Sequence, residues 1–165
     1  MPVIHIVTGE VNAGKTTLMR SLFHSMPASD GLLSEKIMDN GDFSGYRLVH
    51  LQSGETRELA LLQKAYLGQF REACRLGSFV FSSEAFRFGL EILERQSANP
   101  AVRTLFLDEA GPLELNGQGF AGVLPALLLC GKSLYITVRR GCLEEFLRKF
   151  EILEYQLIPV PSGEY

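Results

Sequence analysis

"TGEVNAGKTT", residues Thr8–Thr17, sets two glycines five positions apart, ahead of a lysine and two threonines. It follows Val3–Val7 ("VIHIV"), a nearly continuous β-branched run of the kind found in a strand buried on both faces. It precedes Lys15–Ser25, where Leu18, Leu22 and then Ser25 or Met26 share one face of a helix that Pro27 stops. Strand, glycine turn and helix form the setting that a phosphate loop requires, and Gly9–Thr16 fits the pattern GxxxxGK[ST]. Chance supplies about 0.005 such matches in a chain of this composition.

Each letter of the pattern has a physical reason. Gly9 and Gly14 permit backbone angles that turn successive N–H groups towards one oxyanion, and the helix N-terminus adds its partial positive charge. The candidate phosphate binders are therefore Gly9, Glu10, Val11, Asn12, Ala13, Gly14, Lys15, Thr16 and Thr17. Glu10 contributes its backbone, since an acidic side chain beside phosphates is repelled and should point outward. Lys15 can reach the β- and γ-phosphate oxygens as a point charge, and the Thr16 hydroxyl can replace one water on Mg²⁺.

The second half of the site comes from "RTLFLDEAG" (Arg103–Gly111), an apolar strand that ends in two acids. Asp108 stands where a carboxylate holds the Mg²⁺ shell, and Glu109 follows directly. Alternation along the strand sends Glu109 to the side opposite Asp108, where it can polarise a water in line with the γ-phosphate. Arg139 and Arg140 follow the strand Ser133–Val138, at the edge of a parallel sheet where ligands bind. One of them is a candidate for the cation that meets charge growing on the transferred phosphoryl group.

The remaining elements are read more coarsely. Leu32–Lys36, Gly45–Leu51 and Glu55–Leu61 look extended, separated by "DNGD" and "QSGE", and predict a β-meander. Ser78–Phe81 reads as a strand and Ser83–Ser97 as a helix. Phe120–Leu128 carries a helical stripe that Pro125 interrupts, so the helix either kinks there or starts later. Leu143–Phe150 reads as a helix and Ile152–Ile158 as a last strand. The fold class is α/β, a phosphate-loop fold with a mainly parallel sheet flanked by helices and an added antiparallel meander, in a single domain over 1–165. His5 reads as a satisfied core histidine, His24 and His50 have no evident partners, and "FVFSSEAFRF" (Phe79–Phe88) reads as core rather than as a nucleobase platform.

A net charge of −3 and the lack of a Lys/Arg run argue against nucleic acid or anionic membrane as partner. The cysteines Cys74, Cys130 and Cys142 form no metal or disulfide spacing, so a reduced, cytoplasmic protein is expected. "MPVIHIV" has no signal-peptide character, and "VLPALLLC" (Val123–Cys130) is too short to span a bilayer, so a soluble protein is expected.

Taken together, "TGEVNAGKTTL", "LDEAGPLEL" (Leu107–Leu115), "GLLSEKIMDNGDFSGYRLV" (Gly31–Val49) and "FVFSSEAF" resemble the small THEP-type nucleoside-triphosphatases over nearly the whole chain. Gly9, Gly14, Lys15, Thr16, Thr17, Asp108, Glu109, Gly111 and Glu114 match that family's motifs, while Asn12 and Pro112 stand where the family has glycine and lysine. The resemblance implies a fold related to nucleotide kinases and slow, Mg²⁺-dependent hydrolysis of nucleoside triphosphates with loose base preference. Two rivals stay open: a nucleotide or small-molecule kinase, and a nucleotide-dependent switch whose protein partner the sequence does not name. Strands rather than helical insertions over Leu32–Leu61 favour water as the phosphate acceptor.

Overall fold

The computed structural model describes residues 1–161. Its elements in chain order are β1 (Ile4–Gly9), α1 (Lys15–Ser25), β2 (Ser29–Asp39), β3 (Asp42–His50), β4 (Thr56–Leu62), β5 (Glu72–Leu76), β6 (Phe79–Ser82), α2 (Ser83–Ser97), β7 (Thr104–Ala110), α3 (Pro112–Leu115), α4 (Leu124–Leu128), β8 (Ser133–Arg139), α5 (Leu143–Lys149) and β9 (Gln156–Pro159). The strands form one sheet in the order β5-β6-β4-β3-β2-β7-β8-β1-β9. From β2 to β9 every pairing is parallel, and from β2 to β5 every pairing is antiparallel. The antiparallel part is larger than the meander read from the sequence, because the β5–β6 hairpin joins it through β6.

The central strands are apolar because both faces of the sheet are covered. On one face, α1 sets Met19 against Val7, Leu33, Phe106 and Tyr135. On the other, α2 and α5 close over Ile6, Leu32, Leu48, Leu107 and Ile136, with Leu93 and Phe146 fully buried. At about 25 cal/mol per Å², each such side chain stabilises the fold by roughly 1.5–3 kcal/mol relative to exposure.

Several boundaries differ from the sequence reading. Strand β2 begins at Ser29, because the turn-like "SDG" is buried and satisfied. Asp30 Oδ2 lies 2.8 Å from His50 Nε2, while Asp30 Oδ1 accepts from the backbone N–H groups of Gly31 and Gln52. Gly31, at φ +148°, sits so close to Phe106 that an added Cβ would lie 2.1 Å from its carbonyl oxygen. The Pro125 ambiguity resolves as a late start: α4 begins at Leu124, with the proline in its first turn, where a missing N–H costs nothing. Strand β9 is shorter than expected, and Ile152 packs into the core ahead of it. His5 is half-buried, stacked on Tyr135 at 4.1 Å and 3.2 Å from the Leu134 carbonyl oxygen through Nδ1.

Among the described residues, no helix is long and apolar enough to cross a membrane. The three cysteines are unpaired.

Candidate active site

The glycine loop leaves β1 at its carboxyl end and enters α1 at Lys15. Helix α1 has no side-chain cap and no acid in its first turn. Its orphan N–H groups therefore remain available to an anion. Gly14 takes φ +96°, and Asn12 takes φ +64°. Asparagine is among the residues that tolerate the left-handed region, so the loop keeps its course where the family pattern has glycine. Gly9 is required for space, since an added Cβ would lie 2.7 Å from the Val160 carbonyl oxygen. Glu10 is exposed and its carboxylate pairs with Arg140 at 3.6 Å, pointing away from the loop as charge repulsion dictates.

Lys15 is buried, 6% exposed, and donates to the carbonyl oxygens of Gly9 at 3.1 Å and Glu10 at 2.9 Å. Its ammonium is 3.9 Å from Glu109 Oε2. The cation is thus held at the mouth of the loop by two carbonyls and one carboxylate.

Asp108 is almost fully buried and fully engaged. Thr137 Oγ1 donates to Oδ1 at 2.6 Å, and Thr16 Oγ1 donates to Oδ2 at 2.6 Å. The Ser34 N–H also donates to Oδ2 at 3.2 Å, and the Ser34 hydroxyl donates to the Asp108 carbonyl at 2.8 Å. Burial pushes the Asp108 carboxyl above its ordinary range, against the opposing effect of these donors and of Lys15. Thr137 and Ser34 were not singled out from sequence. A lone polar residue in the apolar run "YITV" was the available signal for Thr137.

Glu109 departs from the strand alternation expected of it. The β7–β8 register shifts between Leu107 and Ala110, and both carboxylates line the same cavity. A local irregularity of this kind re-aims side chains at sites. Arg139 Nε donates to Glu109 Oε1 at 3.0 Å. Burial raises the Glu109 pKa, Arg139 lowers it, Asp108 raises it and Lys15 lowers it. The two candidate arginines separate clearly: Arg139 lines the cavity beside Glu109, whereas Arg140 is half-exposed against Glu10.

Glu114 ties down the chain that follows the two acids. Its Oε1 accepts from the Gly111 N–H at 2.8 Å and its Oε2 from the Phe120 N–H at 2.9 Å. Burial outweighs those two donors and raises its pKa to about 7. Lys15, Thr16, Asp108, Glu109 and Arg139 converge on one cavity of about 880 Å³. His50, whose ring bridges Asp30 and Ser53, does not line it.

A glycine loop at a helix N-terminus, a lysine within it, and an acid pair on the second strand over define a phosphate-loop NTPase fold. The comparisons specify it further. The family model described as NTPase matches residues 4–160, and the chain belongs to this family, the THEP-type nucleoside-triphosphatases. The nucleoside-triphosphatase THEP1 of Pyrococcus abyssi (strain GE5 / Orsay) is 26% identical over 145 residues, covering 85% of this chain and 76% of the relative. The protein of the same name from Methanothermobacter thermautotrophicus is 24% identical over 166 residues, covering 93% and 86%. The crystal structure of THEP1 from Aquifex aeolicus shares the fold, with a TM-score of 0.75 at 19% identity over 96% of this chain and 90% of that one. The solution structure of a human cancer-related nucleoside triphosphatase does so with a TM-score of 0.67 at 23% identity, over 96% and 88%.

Proposed function

We propose that the chain hydrolyses nucleoside triphosphates such as ATP and GTP to the diphosphate and inorganic phosphate, with Mg²⁺ as cofactor. The observation that carries this reading is the meeting of Lys15, Thr16, Asp108 and Glu109 at the mouth of one loop. Thr16 and Asp108 fit the metal: they offer a hydroxyl and a carboxylate, hard oxygen donors held 2.6 Å apart. Among the described residues, no cluster of three or more His, Cys, Asp or Glu could enclose an ion. Magnesium keeps few protein ligands and takes the rest from water and phosphate. When bound, the ion neutralises charge on the β- and γ-phosphate oxygens.

The chain's own groups do the remainder. Loop N–H groups of Gly9–Thr17 and the Lys15 ammonium bind and orient the phosphates. Glu109 positions the attacking water and accepts its proton, while Arg139 fixes the Glu109 carboxylate and faces the γ-phosphoryl group. Arg140 serves outside the site, against Glu10. One continuous sheet through the described residues supports the single-domain reading, and unpaired thiols suit a cytoplasmic protein.

Phosphate release from ATP, GTP, CTP and UTP with Mg²⁺ or with a chelator tests the reading. The parent should release phosphate only with the metal, and Lys15→Ala should lose triphosphate binding while remaining folded. A folded Lys15→Ala protein that binds nucleotide like the parent would refute the assignment of the loop.

A further inference from the structure

The sheet has two open edges, and they differ in chemistry. Among the described residues, β5 ends the sheet on one side and β9 on the other. Strand β5 is charged: Glu72 and Arg75 pair at 2.7 Å, and the strand shifts register against β6 between Glu72 and Cys74. Charges and irregular register keep an edge from adding a further strand. Strand β9 (Gln156–Pro159) has neither. It holds no charged residue and runs against β1 in unbroken register. Helix α1 packs over β1, β2, β7 and β8, and α5 over β8, while Gln156, Leu157 and Pro159 stay exposed.

The ladder fixes where the polar groups of that edge point. The Val160 N–H donates to the Thr8 carbonyl at 2.7 Å, and Ile158 lies opposite Val7. In a parallel ladder, alternate residues turn both backbone polar groups to the same neighbour. Ile158 and Val160 therefore face β1. Leu157 turns its N–H and C=O outward, and Pro159 turns out a C=O without an N–H. Side chains alternate over the same stretch: Ile158 and Val160 pack into the cluster around Val7 and Met19, while Tyr155, Leu157 and Pro159 are exposed.

This outward row complements itself about Leu157. A second copy running antiparallel sets Leu157 against Leu157 and Tyr155 against Pro159. The two Leu157 residues exchange both of their N–H···O=C bonds, and each Tyr155 N–H meets a Pro159 carbonyl. The missing proline donor then leaves only the Tyr155 carbonyl over. The exposed Leu153 extends the apolar surface beside the junction.

We propose that the protein forms a two-fold symmetric dimer through β9, in which a second copy of this chain continues the sheet. The geometry selects a second copy because the edge carries no charge, either to recognise an unlike strand or to repel its own image. The contact is isologous, so it uses the β9 edge of both protomers and stops at two chains.

Sedimentation equilibrium of the full chain, loaded from about 1 to about 100 µM, spans the weak association expected of a small interface. The parent should approach twice the 18.3 kDa of one chain at the highest concentration. Leu157→Lys sets two like charges opposite each other and should weaken association roughly tenfold or more. Leu67→Lys, at an exposed leucine in the β4–β5 connection on the far side of the sheet, should leave it unchanged. Circular dichroism should show both variants folded, since both positions are exposed. Leu157→Cys reads the register, because residues exchanging both bonds across an antiparallel pair have Cα atoms about 5.5 Å apart, within disulfide reach. Mild oxidation should cross-link that variant and not the parent, whose cysteines are Cys74, Cys130 and Cys142. A parent that stays monomeric throughout leaves the edge to a different partner and overturns the inference. A dimer that Leu157→Lys leaves intact also overturns it, since another face then holds the chains together. A dimeric Leu157→Cys protein that fails to cross-link overturns the pairing centred on Leu157.

Discussion

Replacing Glu114 by glutamine removes the ionisable group from a buried turn while keeping its size. In the parent, the carboxyl bridges the Gly111 and Phe120 N–H groups and holds the segment that follows Asp108 and Glu109. Burial raises its pKa from 4.5 to about 7 in the folded chain. Since the folded state then binds the proton more tightly than the unfolded state, stability falls as pH rises from 4.5 and levels off above about 7. At about 1.36 kcal/mol per pKa unit, the loss assigned to this one group is about 3 kcal/mol. Glutamine can accept only one of the two N–H bonds, so Glu114→Gln begins at a disadvantage at low pH, where both side chains are neutral. Asp108 and Glu109 titrate in both proteins, so the difference between the two curves reports chiefly Glu114, with a smaller part from its repulsion by Glu109. Urea unfolding followed by circular dichroism, from pH 4.5 to 8, should show the variant gaining about 3 kcal/mol on the parent across that range. A constant difference would mean that the two backbone donors keep Glu114 ionised, and the account of this turn would fail.

The arginines and the first acid give sharper functional contrasts. Arg139→Ala should lower single-turnover hydrolysis by about 10²–10³-fold with little change in nucleotide affinity, and Arg139→Lys should not restore it fully. Arg140→Ala should leave the rate near that of the parent, because its partner is the exposed Glu10. Equal effects of the two alanine variants in a quenched-flow assay would break this division. Asp108→Asn should weaken Mg²⁺-dependent triphosphate binding, since the amide cannot accept from Thr16 and Thr137 as the carboxylate does. Unchanged affinity by isothermal titration, with Mg²⁺ varied, would remove Asp108 from the metal site.

The sequence was most readable where composition and geometry impose the same pattern. β1, the glycine loop, α1 and β7 are such places, because a doubly buried strand must be apolar and a phosphate loop must have glycines and a lysine. Strand β5 (Glu72–Leu76) was missed because it lies at the sheet edge, is mostly exposed, and alternates only over Cys74–Leu76, after a register shift. Helix α3 was missed because four residues cannot display a helical period. Strand β2 begins three residues before the Leu32 expected of it, since nothing local reveals that His50 and Gln52 satisfy Asp30 from a neighbouring strand and its turn. The acids Asp108 and Glu109 were readable as a pair, but their placement in one cavity depends on a register shift against β8 that the strand itself does not encode. The aromatic residues of "FVFSSEAFRF" read as core, and some are, yet Phe79, Phe81 and Phe86 also face the cavity. Hydrophobicity alone does not distinguish a packed face from the wall of an apolar pocket.

The central claim is that Glu109 activates the attacking nucleophile at a γ-phosphate held by Lys15. The most direct measurement is the single-turnover rate of Glu109→Gln with saturating Mg²⁺ and ATP, alongside the nucleotide dissociation constant. Glutamine keeps the size of the side chain and can still accept from Arg139, but it cannot take a proton at neutral pH. The rate should fall by roughly 10²–10⁴-fold while the dissociation constant stays near that of the parent. A parent-like rate, or a loss of binding as large as the loss of rate, would contradict the role given to Glu109.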